Sequence, residues 1–503
     1  AALFLLLVGT RTLWDRWPIA FPSIPVLFFQ LLRLYLFSGA EKRRYHVLNL
    51  LRIGSNLFAA LSVILCILFP PLQLKPPTGP YAIGAVDVFL PRYPKKQEES
   101  TTSNSDFIAA RIFYPASSTA QANTPYFYRK PSYSNQFLNA LVKNVMPIFP
   151  LNRCGWILRT WKLVHVPAEW GAQVMHPPSN PTANTNQPWP VVIHSHGLFG
   201  SPHIYTHQAL TLASHGSVVV MLHHPDGSSP MVVQQDGSTV EYSAPIITTS
   251  KSKNDDQNKT VQQEKYIELV RARRLQTHER AVEMIAAFES LKILHEESIL
   301  VGGVSFQGKL NVSNVVFLGH SFGGATALTA AAYRPDITLA VVAHEPATDW
   351  MPDYVRRVLL MNDTRRKGSS LPYTGGTGGF TTHADIKQND HTTIHSTHAE
   401  LLHNDVHMLV LFSDQWAKLG WGGFPILKCM HDRAQFGPDG KSRVEVVHQM
   451  KHQEFSDTCA LTPLWLGRIT GATGERNPLD TLDDVMHRTL DFLSTVRTNK
   501  KSR

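Results

Sequence analysis

Val315-Val-Phe-Leu-Gly-His-Ser-Phe-Gly-Gly-Ala-Thr-Ala-Leu328 is the stretch whose reading decides the fold. Four apolar residues of β type run into Gly319-His-Ser-Phe-Gly323, and an Ala-rich helical pattern continues from Phe322 to Ala332. A serine on a sharp strand-to-helix turn needs small residues two positions to either side, because larger side chains would strike neighbouring backbone. Such a turn presents the serine at the carboxyl end of a strand, where open α/β sheets place their sites. The helix start behind it favours developing negative charge. Gly319 and Gly323 therefore read as a nucleophile elbow around Ser321, with the Phe322 amide as one oxyanion donor.

Working outward, apolar strand signals alternate with helical ones. Strands are expected at Ala82 to Leu90, Ala109 to Tyr114, Trp189 to His194, Ser217 to Leu222, Asn314 to Leu318, Ile337 to Ala343, Met408 to Phe412 and Arg443 to Val447. Helices are expected at Tyr205 to Ser214, across Val261 to Leu294 and over Leu482 to Thr495. The long one carries apolar residues at helical spacing: Ile267, Val270, Leu275, Ala281, Met284, Ile285 and Phe288. Strands apolar on both faces and separated by helices imply a mostly parallel sheet covered on both sides. With the elbow, this is an α/β-hydrolase fold. A segment rich in Gly, Thr and His, residues 367–404, reads as a loop insert over one end of the sheet.

The N-terminal 75 residues have a different character. Ile53 to Phe69 carries no charge, which is close to the length needed to cross a hydrocarbon core. Trp17 to Phe37 is a second apolar stretch, broken by Pro22 and Pro25, and Ala2 to Val8 is a third. Residues 1–75 are therefore expected to form a membrane region of two to three apolar helices, and residues 76–503 the catalytic domain. Lys42, Arg43 and Arg44 between the stretches predict a cytoplasmic loop, which sends the catalytic domain to the lumenal or extracellular side. Sequons at Asn258, Asn311 and Asn362 suit that side but are common by chance.

In this fold the triad runs in the order serine, acid, histidine. His448 continues a late strand, whereas His452 lies in the loop after it and is better placed to reach over the sheet as the base. The acid should close the strand after the nucleophile helix. Glu345 is at that position, with Asp349 four residues further on as the alternative. A second oxyanion amide is expected from Leu198 in His196-Gly-Leu-Phe-Gly200, which follows an apolar strand.

The formal net charge of +9 is spread along the chain without Lys/Arg runs interleaved with aromatics, so nucleic-acid binding has no support. Four cysteines make no disulfide framework. His383, His391, His395, His398 and His403 have no standard metal-ligand spacing, so neither metal nor cofactor is expected.

Gly319-His-Ser-Phe-Gly-Gly-Ala-Thr326, Ser195-His-Gly-Leu198 and His452-Gln-Glu-Phe-Ser-Asp457 together resemble the platelet-activating factor acetylhydrolase family of the lipoprotein-associated phospholipase A2 type. Gly79-Pro-Tyr-Ala-Ile-Gly-Ala-Val-Asp87, Arg111-Ile-Phe-Tyr-Pro115 and Leu212-Ala-Ser-His-Gly216 are similar too. The resemblance implies Ser321 as nucleophile, His452 as base and the Leu198 and Phe322 amides as oxyanion donors. It further implies calcium-independent removal of short or oxidised sn-2 acyl chains from phospholipids. The family carries Asp where Glu345 stands here, which keeps Asp349 open. A broader carboxylesterase, lysophospholipase or phospholipase A1-type lipase is the alternative on the same fold. The expected partners are a phospholipid substrate and the membrane bilayer.

Overall fold

The computed structural model describes residues 25–26, 28–32, 44–68, 74–92, 106–117, 123–145, 158, 160–180, 185–245, 255–360 and 402–498. Most of the insert at residues 367–404, the apolar stretch at the start, the Lys42–Arg43 pair and Asn362 lie outside them.

The chain divides into two compact units. One comprises Ala1–Leu74, Pro125–Val166 and Ala460–Ile469; the other comprises Lys75–Thr124, Pro167–Cys459 and Thr470–Arg503. The smaller unit thus includes two later segments besides the N-terminal residues. Within this unit the Phe127 ring stacks on Trp161 at 6.5 Å and packs against Phe137 at 5.4 Å, and Trp465 Nε1 donates to Leu68 O at 2.8 Å. The same unit holds α1 (Arg44–Leu68), whose Asn49–Leu68 portion is long and apolar enough to cross a membrane, with a mean hydropathy of 2.0. Leu50, Ile53, Leu57, Val63 and Ile67 on it are all exposed. Of the second apolar stretch, residues 25–26 and 28–32 are helical.

The larger unit is built on one sheet. Its long strands are β1 (Ile83–Pro91), β2 (Phe107–Pro115), β3 (Trp189–Ser195), β4 (Val218–His223), β5 (Leu310–His320), β6 (Thr338–His344), β7 (His407–Ser413) and β8 (Arg443–Val447). They lie in the order β8-β7-β6-β5-β3-β4-β2-β1, with the short strand Glu169–Trp170 beyond β1. From β3 to β8 every pairing is parallel, and β2 runs against both its neighbours. This mostly parallel sheet, with the elbow after β5, is the α/β-hydrolase fold. Its centre is largely apolar: Val218 to Leu222 of β4 are buried, as are Val315 to Leu318 of β5 and Ala340 to Ala343 of β6.

Helices that matter for the site are α2 (Thr206–Ser214), α3 (Asp255–Glu296), α4 (Phe322–Tyr333), α5 (Asp414–Leu419) and α6 (Pro478–Thr498). Helix α4 is buried along its whole length, which its small Gly and Ala residues permit. Helix α3 keeps its expected apolar face at Val270, Ala281, Met284 and Phe288, all buried, and departs from it at Leu275. Leu275 is 68% exposed, whereas Arg273, Thr277, Arg280 and Glu283 are all buried. A polar network holds those four inside.

Candidate active site

Four of the site's pieces leave the sheet at the carboxyl ends of adjacent parallel strands. Ser321 follows β5, Glu345 follows β6, Ser413 ends β7, and His452 lies in the loop after β8. The loop carrying Leu198 follows β3, next to β5 on the other side. Sequence separations of up to about 250 residues collapse into one edge because the strands share a direction.

The elbow has a strained backbone. Ser321 sits at φ 56°, ψ −114°, a region that L-residues rarely occupy. Its amide donates to His344 O at 2.8 Å, and its carbonyl accepts from the Ala347 N–H at 3.0 Å, so the turn is tied on both sides to the chain around Glu345. The flanking glycines are sterically required. A Cβ on Gly319 would lie 2.1 Å from Gly323 O, and one on Gly323 would lie 2.0 Å from Ser195 O. Phe322 begins α4, so its N–H is one of the donors that a helix start leaves unpaired.

The loop after β3 is fixed residue by residue. Gly197 N–H donates to Tyr205 Oη at 3.1 Å, Phe199 N–H to Ser228 O at 2.7 Å, and Gly200 N–H to Gly197 O at 3.0 Å. Among the described residues the Leu198 N–H has no acceptor. The neighbouring Phe199 takes a positive φ of 60°. Both amides expected to face an oxyanion are thus left without a protein partner.

His452 Nδ1 is 2.5 Å from Glu345 Oε2. Glu345 is fully buried, and its other oxygen accepts from the Ser413 N–H at 2.6 Å and from the Ser413 hydroxyl. Three donors therefore converge on this carboxylate. Asp349, the alternative acid, is half-exposed and accepts instead from Arg356 at 2.9 Å. The four-residue offset carries it onto a short turn beyond the sheet edge, Thr348–Trp350. His448 is 79% exposed and pairs with Asp414 at 3.1 Å, away from this cluster.

The His452 imidazole is held on both faces. Trp416 on α5 stacks on it with ring centres 4.4 Å apart and planes within 3°, and the His320 ring lies 4.5 Å away. Its backbone N–H donates to Gln415 Oε1 at 3.0 Å. Further along the same loop, Asp457 accepts from His207 N–H at the start of α2, and Glu454 Oε2 accepts from the Lys451 and Gly474 amides. The acidic positions of His452-Gln-Glu-Phe-Ser-Asp457 thus anchor the loop. Ser413 and Trp416 were beyond sequence reasoning. Only the Ser-Asp helix start at Ser413, whose Oγ accepts from Trp416 N–H, was a legible local signal.

The histidines behind the site are buried and neutral. Burial pushes His344 down to about 3 and holds His320 and His194 well below their ordinary range. His320 Nδ1 lies 2.9 Å from Tyr205 Oη, which joins the elbow to the Leu198 loop. His320, Glu345 and His452 bring ligand-type atoms within 4.8 Å of one another, the one such grouping among the described residues. Within it His320 Nδ1 faces Tyr205, Glu345 accepts from Ser413, and His452 Nδ1 faces Glu345. Of the histidines in the insert, only His403 is described; it is buried and lies 3.2 Å from Val358 O and Leu359 O. Asn311 accepts hydrogen bonds from Ser313 at the start of β5, and Asn258 lies in α3. Cys66, Cys429 and Cys459 are free thiols.

Chemically, a buried carboxylate on Nδ1 orients the ring and can stabilise it when charged. A serine on a strained elbow beside two unpaired amides is suited to acyl transfer.

Comparison with known proteins places this geometry. The chain is 24% identical over 259 residues to the platelet-activating factor acetylhydrolase of Cavia porcellus, an alignment covering 50% of each chain. It is 25% identical over 282 residues to a putative phospholipase A2 of Schizosaccharomyces pombe, covering 50% of this chain and 58% of that one. The chain therefore spans about half the length of the curated relatives it matches. Among solved structures, a ferulic acid esterase from Streptomyces cinnamoneus superposes with a TM-score of 0.49 at 15% identity, over 84% of this chain and 92% of that one. The family described as platelet-activating factor acetylhydrolase, isoform II, matches residues 67–356, more than half of the chain and inclusive of both the Leu198 loop and the elbow. The chain belongs to that family.

Proposed function

We propose that this chain is a calcium-independent serine hydrolase that removes short or oxidised sn-2 acyl chains from phospholipids. The observation carrying the reading is the 2.5 Å contact between His452 Nδ1 and Glu345 Oε2 at the same sheet edge as strained Ser321. In this mechanism His452 takes the Ser321 proton through Nε2 as Oγ attacks the sn-2 carbonyl. Glu345 keeps the Nδ1 proton in place and offsets the imidazolium charge that forms. The tetrahedral oxyanion is received by the Leu198 and Phe322 amides; one such donor is worth roughly 10²–10³ in rate. Collapse transfers the His452 proton to the departing glycerol oxygen and leaves an acyl-Ser321 ester. Water, deprotonated by His452, then releases the short acid. The two amides do the work of charge stabilisation, so the reading needs no calcium ion.

We also assign α1 the role of membrane anchor, with the catalytic domain lumenal or extracellular. Its 20-residue apolar portion with exposed side chains supports this. Such an anchor would keep the site beside lipid substrate.

The test compares a phospholipid bearing an sn-2 acetyl group with its long-chain sn-2 analogue, in chelator, using the full chain and Ser321→Ala. Cleavage of the acetyl lipid alone, abolished in the variant, is the expected result. Cleavage of both lipids or release of the sn-1 chain would make this a broader esterase. Turnover that survives Ser321→Ala would overturn the mechanism.

A further inference from the structure

We infer that Arg280, on α3, is a positioning residue for the oxyanion hole; the inference rests on the acyl-transfer reading of Ser321. Arg280 is 1% exposed, and its guanidinium is used on three sides. Nε donates to Asp226 Oδ2 at 2.7 Å, Nη1 to His196 O at 2.8 Å, and Nη2 to Ser228 Oγ. Its flat face lies over the Phe322 ring, 4.2 Å from the ring centre.

Each contact leads to one of the two oxyanion amides. His196 lies two residues before Leu198. Ser228, the partner of Nη2, accepts the Phe199 N–H through its carbonyl at 2.7 Å, which pins the residue after Leu198. Asp226 Oδ1 accepts from the Ser228 N–H at 3.1 Å, and Gln276, also on α3, donates to Asp226 O at 2.8 Å. The ring beneath the guanidinium belongs to Phe322, whose amide is the other donor. One rigid fork thus spans both loops that supply the hole, and an oxyanion hole works only if its donors are set before reaction.

The charge has the right sign as well. Arg280 is balanced by Asp226, but Arg273, one further buried guanidinium 5.9 Å from the Phe322 ring centre, has no carboxylate partner among the described residues. The buried charge around the Phe322 ring is therefore net positive, opposite to that of an oxyanion. Arg280 cannot be exchanged for Lys without loss, because an ammonium lacks the planar fork and the stacking face.

The experiment measures kcat, KM and the pH profile of the full chain on the sn-2 acetyl phospholipid for Arg280→Met, Arg280→Lys and Ser228→Ala, with Ser321→Ala beside them. Thermal melts report folding. Arg280→Met is expected to lower kcat about 100-fold, the worth of an oxyanion donor, with KM changed by less than about threefold. The acid limb of the pH profile should stay in place, because the His452–Glu345 pair is untouched. Arg280→Lys should recover part of the loss and Ser228→Ala should show a smaller loss of the same kind. A folded Arg280→Met with kcat within about twofold of wild type overturns the inference. So does a loss that appears in KM or as a shifted acid limb. If Arg280→Met does not fold, Ser228→Ala decides, and an unchanged kcat there counts against the inference. Turnover surviving in Ser321→Ala would instead strike the acyl-transfer reading, so the two failures are told apart.

Discussion

Among its described residues the larger unit contains two serine–histidine–glutamate sets that start from adjacent strands, and we propose that only one is built for chemistry. At the sheet edge stand Ser321, His452 and Glu345. Behind the Leu198 loop, Ser195 Oγ lies 2.8 Å from His224 Nε2, whose Nδ1 lies 2.5 Å from Glu283 Oε2. On residue types and distances the second set is a triad too. Solvation separates them. Ser195 and His224 are both 0% exposed, whereas His452 is 18% exposed and Ser321 9%. Burial holds His224 well below its ordinary range, so the imidazolium that a general base must become is denied to it. Burial likewise pushes Glu283 up to about 7, against the pull of Arg92. Glu345 is equally buried but receives three donors, two of them from Ser413. The same three side chains make a tether where water is absent and, in the proposed mechanism, a reactive group where a substrate can enter.

The sharpest way to break this comparison is to remove each serine in turn. Ser321→Ala should cost roughly 10⁴–10⁶ in kcat and abolish fluorophosphonate labelling. Ser195→Ala should keep the label but strand a buried ring nitrogen, costing about 1–3 kcal/mol in urea unfolding. A label on Ser195 would end the distinction. Next come the acids. Glu345→Gln should lower kcat about 10⁴-fold by losing the ring's orientation, as measured in steady-state assays. Glu283→Gln should instead appear in the melting temperature. Asp349→Asn should alter stability by no more than about 1 kcal/mol, since its partner Arg356 lies at the surface.

A smaller effect concerns pH and stability. His223 and His344 are pushed down to about 3, and His194, His196, His224 and His320 well below 6.5, in each case chiefly by burial. Between pH 6.5 and about 3 the unfolded chain binds protons that the folded chain refuses, so stability falls with falling pH. Each such group contributes up to about 1.4 kcal/mol per pH unit. Glu283 has the opposite sign, its stability lost as pH rises from 4.5 through about 7, but it is one group against several. Urea midpoints should therefore drop steeply below pH 6.5, and a flat profile would contradict buried neutral histidines.

The elbow was readable because its constraints are local. A Cβ on Gly319 would lie 2.1 Å from Gly323 O, so the turn writes part of its own sterics into five consecutive residues. Strand and helix periods were equally local, and β8 runs over the expected Arg443–Val447. The order serine, acid, histidine narrowed the base to two histidines and the acid to two carboxylates, and position favoured His452 and Glu345 without excluding the others. A few residues along a loop decide whether a side chain faces the cleft or the solvent, and spacing carries no such information.

Helix α3 shows the limit most plainly. Hydropathy places Leu275 inside and Arg273, Arg280 and Glu283 outside, and the fold does the reverse. Burying those charges is tolerable only because Asp226, His196 O, Ser228, Arg92 and His224 come from other strands and loops to meet most of them. The amino-acid sequence by itself determined the hydrolase sheet and the elbow around Ser321, since both rest on short-range sterics and periodicity, and its motifs carried the family resemblance. Tertiary structure alone decided which carboxylate meets His452, which serine set stays dry, and that Arg280 reaches both oxyanion loops, because hydrogen bonding and desolvation depend on what the rest of the chain brings within about 3 Å.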